Sequence, residues 1–124
     1  DGGSALCDEV EAIVARVRGV PHELLTLRSM LSANIDTPLR DAAPALSLST
    51  RSLQRMLERN GTSYRDEQTV ARFARAQSLL RGGDTKISSV AARVGWSTRT
   101  LTNVFRAKTG LTPADWRKRE AATR

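Results

Sequence analysis

The hexapeptides Leu48-Ser49-Thr50-Arg51-Ser52-Leu53 and Trp96-Ser97-Thr98-Arg99-Thr100-Leu101 are two copies of one pattern, 48 positions apart. In both copies an apolar residue precedes Ser-Thr-Arg, and a second hydroxyl side chain and a leucine follow it. The agreement extends to small, apolar and capping positions over about twenty residues, which predicts a structural repeat. Further pairs in the register are Thr37 with Thr85, Ala43 with Ala91, Leu46 with Val94 and, after a slip of one residue, Gly61 with Gly110.

Each copy has the spacing of a helix-turn-helix motif. In the second copy Ala91 is small where two helices must cross closely, Gly95 suits the positive φ of the turn, and Ser97 caps the second helix. In the first copy Ser47 replaces the turn glycine, and Pro44 is expected to kink or shorten the first helix. The exposed N-terminal turn of the second helix in such a motif enters the major groove of DNA.

Helical signals also dominate the rest of the chain. Apolar residues recur at helical spacing, whereas aromatic residues make up only 4% of the sequence and no run alternates cleanly. This pattern predicts an all-α fold of about seven helices, in which Thr37 caps the helix that Pro38 begins. The predicted organisation is a linker with a short amphipathic helix at 1–20 and, within 21–124, a first helix-turn-helix subdomain at 21–62, a connecting helix at 63–82 and a second subdomain at 83–120.

The charge of the chain is positive and unevenly distributed. The formal net charge is +7, and residues 37–124 carry seventeen basic and seven acidic residues. A basic block of this kind indicates a polyanionic partner, most often nucleic acid. No apolar run approaches the length of a membrane span.

The scarcity of metal-binding and catalytic residues argues against several classes of function. A single cysteine, Cys7, and a single histidine, His22, are too few for a zinc site with three or four nitrogen or sulfur ligands. We therefore expect no metal, no cofactor and no enzymatic activity. The lone cysteine suits a reducing compartment, so we expect a cytoplasmic protein.

The chain resembles the C-terminal DNA-binding domain of the AraC/XylS-type transcription regulators over residues 22–119. The resemblance implies a homeodomain-like fold, with two helix-turn-helix subdomains joined by one long helix. It also implies that both recognition helices, at about 49–60 and 97–108, enter successive major grooves on one face of DNA. The motifs that carry it are Leu48-Ser49-x-Arg51-Ser52-Leu53-Gln54-Arg55, Ile87-x-x-Val90-Ala91-x-x-Val94-Gly95-Trp96 and Phe105-Arg106-x-x-Thr109-Gly110-x-Thr112-Pro113-x-x-Trp116-Arg117, the last with Trp for the usual Tyr.

Members of this family usually carry an upstream domain that senses a small molecule or mediates dimerisation. The sequence begins with Asp1-Gly2-Gly3-Ser4, which is typical of a linker. We therefore expect the C-terminal part of a longer regulator, with any small-molecule effector bound only by the absent N-terminal domain. RNA polymerase is a further candidate partner.

Helical periodicity and the resemblance nominate the same candidate DNA base contacts. If the leucines of each recognition helix are buried, the opposite face is polar and basic. Arg binds guanine bidentately, Gln and Asn read adenine, and Thr meets the methyl group of thymine. Glu58 on this face is expected to form an ion pair with Arg51 or Arg55. The candidate base contacts are Arg51, Gln54, Arg55, Thr98, Arg99, Thr102 and Asn103.

A second set of residues is expected to position the protein on DNA phosphates. Basic side chains and backbone N–H groups near helix N-termini suit this task. In contrast, Trp96, Trp116, Phe73 and Phe105 fall in register with apolar stripes, so we expect them in the core. The candidate phosphate contacts are Thr37, Arg40, Ser49, Thr50, Thr85, Lys86, Ser97, Arg106, Lys108 and Arg117.

The two recognition helices and the length of the connecting helix predict the form of the DNA site. Two unequal recognition helices should read two different short sequences, so we expect an asymmetric operator bound by a monomer of this domain. A connecting helix over 64–81 would span about 27 Å, which favours successive major grooves about 34 Å apart.

Two alternative functions belong to other classes. One is the DNA-targeting module of a DNA-repair methyltransferase, whose chemistry needs activated thiolates, whereas this chain has only Cys7. The other is a basic helical protein-interaction module, which would place large apolar residues on the outer faces of the recognition helices.

Overall fold

The computed structural model describes residues 20–123. The described residues form helices and no strands, which confirms the all-α prediction. The amphipathic helix predicted near the N-terminus lies outside the described residues. The seven helices of the described part are α1 (His22–Ala33), α2 (Leu39–Ala45), α3 (Thr50–Arg59), α4 (Tyr64–Arg81), α5 (Ile87–Arg93), α6 (Thr98–Thr109) and α7 (Pro113–Ala122).

The chain divides into two compact units, with the boundary between Gln68 and Thr69 inside α4. We refer to residues 20–68 as the first unit and to residues 69–123 as the second unit. Each unit contains one helix-turn-helix motif, formed by α2 and α3 in the first unit and by α5 and α6 in the second. The sequence repeat is therefore a structural repeat.

The first unit has an aliphatic core. Helix α1 buries leucines at positions 24, 27 and 31, spaced three and four residues apart so that they share one helix face. Helix α2 contributes Ala42 and Ala43, both fully buried, and their small size lets the helices approach closely. Helix α3 completes this core with Leu53, Met56 and Leu57.

The second unit has a core that is partly aromatic. Phe105 is fully buried, with its ring centroid 4.7 Å from Phe73 and 5.5 Å from Trp116. Tilted and edge-on pairs of this kind contribute about 0.5–1.5 kcal/mol each beyond their area burial. Trp116 is buried as expected, whereas Phe73 and Trp96 are only half-buried. The buried aliphatic residues of this unit include Leu80, Val90, Val94 and Leu101.

The turn inside each motif follows one backbone plan. Gly95 has φ +80°, as predicted, and Ser47 at the equivalent position has φ +59°. The next residue closes the turn in both units: the N–H of Leu48 donates to the C=O of Ala43 and the N–H of Trp96 donates to the C=O of Ala91, each at 2.9 Å. The first unit thus reaches the same turn without glycine, at the strain cost of a left-handed serine.

Two local expectations about α2 are wrong. The helix begins at Leu39 with Pro38 as its N-cap, and Thr37 does not cap it because its hydroxyl donates to the C=O of Asn34 at 2.8 Å. Pro44 does not shorten the helix, since α2 and α5 both have seven residues. Pro44 lies in the last turn, where its missing N–H removes only one helical hydrogen bond.

Candidate nucleic-acid interface

The second helices of the two motifs begin with nearly identical caps. Ser49 precedes α3 with φ −75° and ψ 159°, and its hydroxyl accepts the N–H of Ser52 at 3.0 Å. Ser97 precedes α6 with φ −74° and ψ 160°, and its hydroxyl accepts the N–H of Thr100 at 3.1 Å. Such a cap contributes about 1 kcal/mol and fixes the direction of the first helical turn. The two predicted N-caps are therefore present, and they set the orientation of the side chains that follow.

Helix α3 exposes a polar face opposite its apolar core residues. Arg51, Gln54 and Arg55 are all exposed, and they lie three or four residues apart, so they share one side of the helix. Thr50 in the first turn is exposed as well. This face carries side chains that donate and accept hydrogen bonds and has no large apolar residue.

Helix α6 exposes a similar face with different chemistry. Thr98, Arg99 and Asn103 are exposed, whereas Thr102 is half-buried. Val104, expected in the core, is also only half-buried. Leu101 and Phe105 are fully buried and fix the rotation of the helix. The second unit thus presents one arginine in this set, where the first unit presents two.

The expected ion pair of Glu58 does not form. Within residues 20–123 no carboxylate–guanidinium contact joins Glu58 to Arg51 or Arg55. All three side chains are exposed, and water offsets most of the attraction between such charges. The two guanidinium groups therefore face solvent without being neutralised by this glutamate.

The candidate phosphate contacts fall into three groups. The basic side chains of Arg40, Lys86, Arg106 and Lys108 are exposed. Lys108 also lies over the Phe73 ring, with its Nζ 5.7 Å from the ring centroid. Ser49 and Ser97 serve as caps, as described above, and the exposed Thr50 directly follows the first cap as the first residue of α3. The remaining residues of the set, Thr37, Thr85 and Arg117, are half-buried and take part in contacts within their own unit.

Thr37 and Thr85 lie in the loops that precede the two motifs. The C=O of Thr37 accepts the hydroxyl of Tyr64 at 2.6 Å, and the C=O of Thr85 accepts Nη1 of Arg117 at 2.6 Å. Burial raises the pKa of Tyr64, and the negative charge of Asp41 raises it further. The tyrosine is therefore a neutral donor at physiological pH.

Sequence reasoning missed two long-range contacts that shape the units. Glu67 is buried, and its carboxylate accepts Nε of Arg28 at 2.6 Å and the hydroxyl of Thr62 at 2.8 Å. Arg72 donates from Nη1 to the C=O of Val94 at 2.7 Å, next to the turn glycine. Arg28 and Glu67 are 39 positions apart, and local periodicity gives no signal for such a pair.

Two features are absent from residues 20–123. No helix there has both the length and the hydropathy of a membrane span. Residues 20–123 contain no group of three or more His, Cys, Asp or Glu side chains placed to hold a metal ion.

Known proteins with the same arrangement are transcription regulators. The family model described as a helix-turn-helix domain matches residues 42–119. The transcriptional activator RhrA of Rhizobium meliloti is 32% identical over 93 residues, which are 73% of this chain and 30% of RhrA. The chain thus spans about a third of the length of the curated relatives it matches.

Solved structures give the same result at the level of the fold. A DNA-binding transcriptional dual regulator from Escherichia coli K-12 is 29% identical with a TM-score of 0.69, covering 77% of this chain and 89% of that one. The DNA-binding domain of AdpA, a global transcriptional factor solved in complex with a target DNA, is 25% identical with a TM-score of 0.66. That match covers 82% of this chain and 95% of the AdpA chain.

Proposed function

Because the chain belongs to the AraC-type helix-turn-helix family of transcription regulators, we propose that it binds double-stranded DNA sequence-specifically through α3 and α6. One observation carries the proposal. Two helices with matching serine caps each bury a leucine on one side and expose Arg, Gln, Thr or Asn on the other. A face of this composition suits a major groove and does not suit an apolar protein partner.

The base contacts are assigned to the exposed face of each helix. Arg51 and Arg55 on α3 suit guanine, whose O6 and N7 accept two parallel N–H donors, and Gln54 suits adenine. On α6, Arg99 suits guanine and Asn103 suits adenine, while Thr98 and Thr102 offer methyl groups to thymine. Because the two faces differ in composition, each unit reads a different short sequence and the operator is asymmetric.

Phosphate contacts supply affinity that does not depend on sequence. Arg40, Lys86, Arg106 and Lys108 carry exposed positive charge outside the base-reading faces, and each phosphate they neutralise releases counterions. Backbone groups at the capped starts of α3 and α6, at Ser49, Thr50 and Ser97, fix the register of each helix on the duplex.

The larger regulator is proposed from the family alone. The chain acts as its DNA-binding part and binds the operator as a monomeric domain in the cytoplasm, without catalysis of its own. A small-molecule effector acts through a domain outside this chain, and RNA polymerase is the partner that a transcriptional activator would contact. In the same proposal, α3 and α6 of one domain bind in two successive major grooves.

The test is a titration of the chain into short duplex DNA over a series of salt concentrations. Binding of random duplex with log affinity falling linearly in log salt is the expected result, because phosphate contacts dominate such binding. Duplex recovered by selection from a random DNA pool should bind about 10³-fold tighter or more at the same salt. Absence of DNA binding would favour the protein-interaction alternative and overturn the proposal.

A further inference from the structure

One side chain in each unit holds the loop before the helix-turn-helix motif by two backbone carbonyls. In the first unit, Nε2 of Gln68 lies 3.5 Å from the C=O of Ile35 and 3.2 Å from the C=O of Thr37. In the second unit, Nη1 of Arg117 lies 3.3 Å from the C=O of Gly83 and 2.6 Å from that of Thr85. We call each of these pairs of contacts a loop clamp.

The two loop clamps occupy the same positions of the repeat. The pairs Ile35/Gly83 and Thr37/Thr85 follow the offset of 48 positions, and Gln68/Arg117 follows it after the one-residue slip at the glycine turns. Other contacts on this stretch repeat as well: Ser63 caps the N–H of Asp66 at 3.1 Å, and Thr112 caps that of Asp115 at 3.2 Å. The same bonds thus form with an amide donor in one unit and a guanidinium donor in the other.

Each loop clamp fixes the approach to a DNA-facing element. The clamped carbonyls immediately precede α2 and α5, the first helices of the two motifs. Arg40 lies in the first turn of α2 and Lys86 is the N-cap of α5, and both are exposed. If either loop shifted, the helix that follows it would begin in a different position, and these charged side chains would move away from the phosphates they are proposed to contact.

We propose that Gln68 and Arg117 are equivalent positioning residues for DNA binding, which act through the loops at residues 35–37 and 83–85 and not by touching DNA. The inference rests on the proposed function and deepens it. Arg117 holds the loop of the second unit as the neutral Gln68 holds the loop of the first unit. DNA binding therefore requires the hydrogen-bond donor of Arg117 and not its positive charge.

The substitution that separates the two roles of Arg117 is Arg117→Gln. Glutamine removes the positive charge but carries the same amide donor that Gln68 uses at the equivalent position. Arg117→Ala removes both charge and donor. Lys118→Ala is the matched control, because Lys118 is an exposed neighbour whose loss changes the net charge by the same amount.

The measurement is the dissociation constant on selected and random duplex at several salt concentrations, at a temperature where circular dichroism shows each variant folded. Arg117→Ala should weaken binding to both duplexes about tenfold, since a charge-assisted hydrogen bond organises the loop. Arg117→Gln should bind within about threefold of the parent chain, and Lys118→Ala within about twofold. Gln68→Ala should weaken binding about fivefold, the scale of a neutral hydrogen bond.

Two results would overturn the inference. If Arg117→Gln binds as weakly as Arg117→Ala and both lower the salt slope by about one, Arg117 contacts a phosphate directly. If folded Arg117→Ala and Gln68→Ala bind like the parent chain, the loop clamps serve stability alone. Failure of the parent chain to bind any duplex is a different outcome, because it would overturn the proposed function itself.

Should Arg117→Ala not fold, Arg117→Gln and Gln68→Arg still decide the matter. Gln68→Arg introduces the guanidinium donor of the second unit into the first unit, and it also adds one positive charge. Gln77→Arg adds the same charge at a half-buried site in the second unit and so measures the effect of charge alone. After that effect is subtracted, the dissociation constant of Gln68→Arg should lie within about threefold of that of the parent chain. A loss of binding by either exchange variant would contradict equivalence of the loop clamps.

Discussion

Position 67 of the first unit and position 116 of the second unit occupy the same place in the repeat, yet one is glutamate and the other tryptophan. Glu67 is buried and held by Arg28 and Thr62. Trp116 is buried against Phe105, and the guanidinium carbon of Arg81 lies 5.2 Å from its ring centroid. A polar cluster and an aromatic cluster therefore support the same arrangement of helices.

The turn of each motif shows a second exchange of the same kind. The turn residue with positive φ is Ser47 in the first unit and Gly95 in the second, where Arg72 donates to the adjacent C=O of Val94. The backbone hydrogen bonds, caps and small crossing residues repeat, while the side chains that fill and brace each unit do not. The turns and caps therefore specify the repeat, and each unit has its own supporting side chains.

Breaking the turn of the second unit should give the largest effect. Gly95→Val places a β-branched residue at φ +80°, and a Cβ at this position would lie 2.8 Å from Nη1 of Arg72. We expect a loss of about 3 kcal/mol in the stability of the second unit, from backbone strain and the displaced arginine together. Both tryptophans of the chain, Trp96 and Trp116, belong to this unit, so their fluorescence during urea unfolding measures the loss.

The matched substitution in the first unit is Ser47→Gly. Glycine adopts the observed φ of +59° without strain, so this change should be neutral or slightly stabilising. Equal destabilisation by Ser47→Gly and Gly95→Val would contradict the shared turn plan.

Removing the partner of the buried carboxylate tests the first unit. Arg28→Ala leaves Glu67, whose side chain is 5% exposed, with only the hydroxyl of Thr62. We expect a loss of about 2 kcal/mol, less than for a fully buried pair because the side chain of Arg28 is 48% exposed. The single tyrosine of the chain, Tyr64, lies in this unit, so its near-ultraviolet signal during unfolding reports the change.

A second substitution should restore part of that stability. In the Arg28→Ala background, Glu67→Gln removes the uncompensated charge and keeps an acceptor for Thr62, so the double variant should be more stable than Arg28→Ala. A double variant that is less stable would show that the buried charge is not the source of the loss.

Among the substitutions expected to lower stability, Tyr64→Phe should give the smallest loss. Tyr64→Phe removes one donor to the C=O of Thr37 but leaves Gln68 bonded to it, so we expect a loss of about 1 kcal/mol near neutral pH. Because the folded-state pKa of Tyr64 is raised, the unfolded chain loses its proton first. The tyrosine's contribution is therefore complete below about pH 10 and declines as pH rises toward the folded pKa.

The measurement for Tyr64 is urea unfolding of both chains from pH 8 to pH 11. The difference in stability between the parent chain and Tyr64→Phe should shrink above pH 10, and ultraviolet absorbance follows tyrosinate formation directly. A difference that stays constant over this range would show that the hydroxyl is not held in its neutral form by the fold.

Local sequence signals were sufficient for most of the fold. The serines at positions 49 and 97, the positive φ of Gly95 and the helix-ending Gly110 follow from residue type and spacing, because caps and turns depend on a few neighbouring residues. The error at Thr37 arose because its hydroxyl donates to the C=O of Asn34, a local alternative to the cap that residue type alone does not distinguish.

The side-chain supports could not be predicted in the same way. The pairing of Arg28 with Glu67 and that of Arg117 with Thr85 join residues more than thirty positions apart. The repeat, extended past its one-residue slip, aligns Gln68 with Arg117 and so predicts that the two residues hold equivalent positions, but it does not identify their partners. The assignment of Arg51, Gln54 and the α6 residues to individual bases stays a prediction, since exposure alone does not identify the base that a side chain reads.

We propose that the two units, built on one plan, read two different DNA segments. The most direct measurement is selection of bound sites from a random DNA pool with three chains: the parent, Arg55→Ala in α3 and Arg99→Ala in α6. The parent should recover an asymmetric site with two separate specified segments. Each variant should relax base preference in one segment only, by about 1–3 kcal/mol at the affected base. A single specified segment, or loss in the same segment with both variants, would contradict the account.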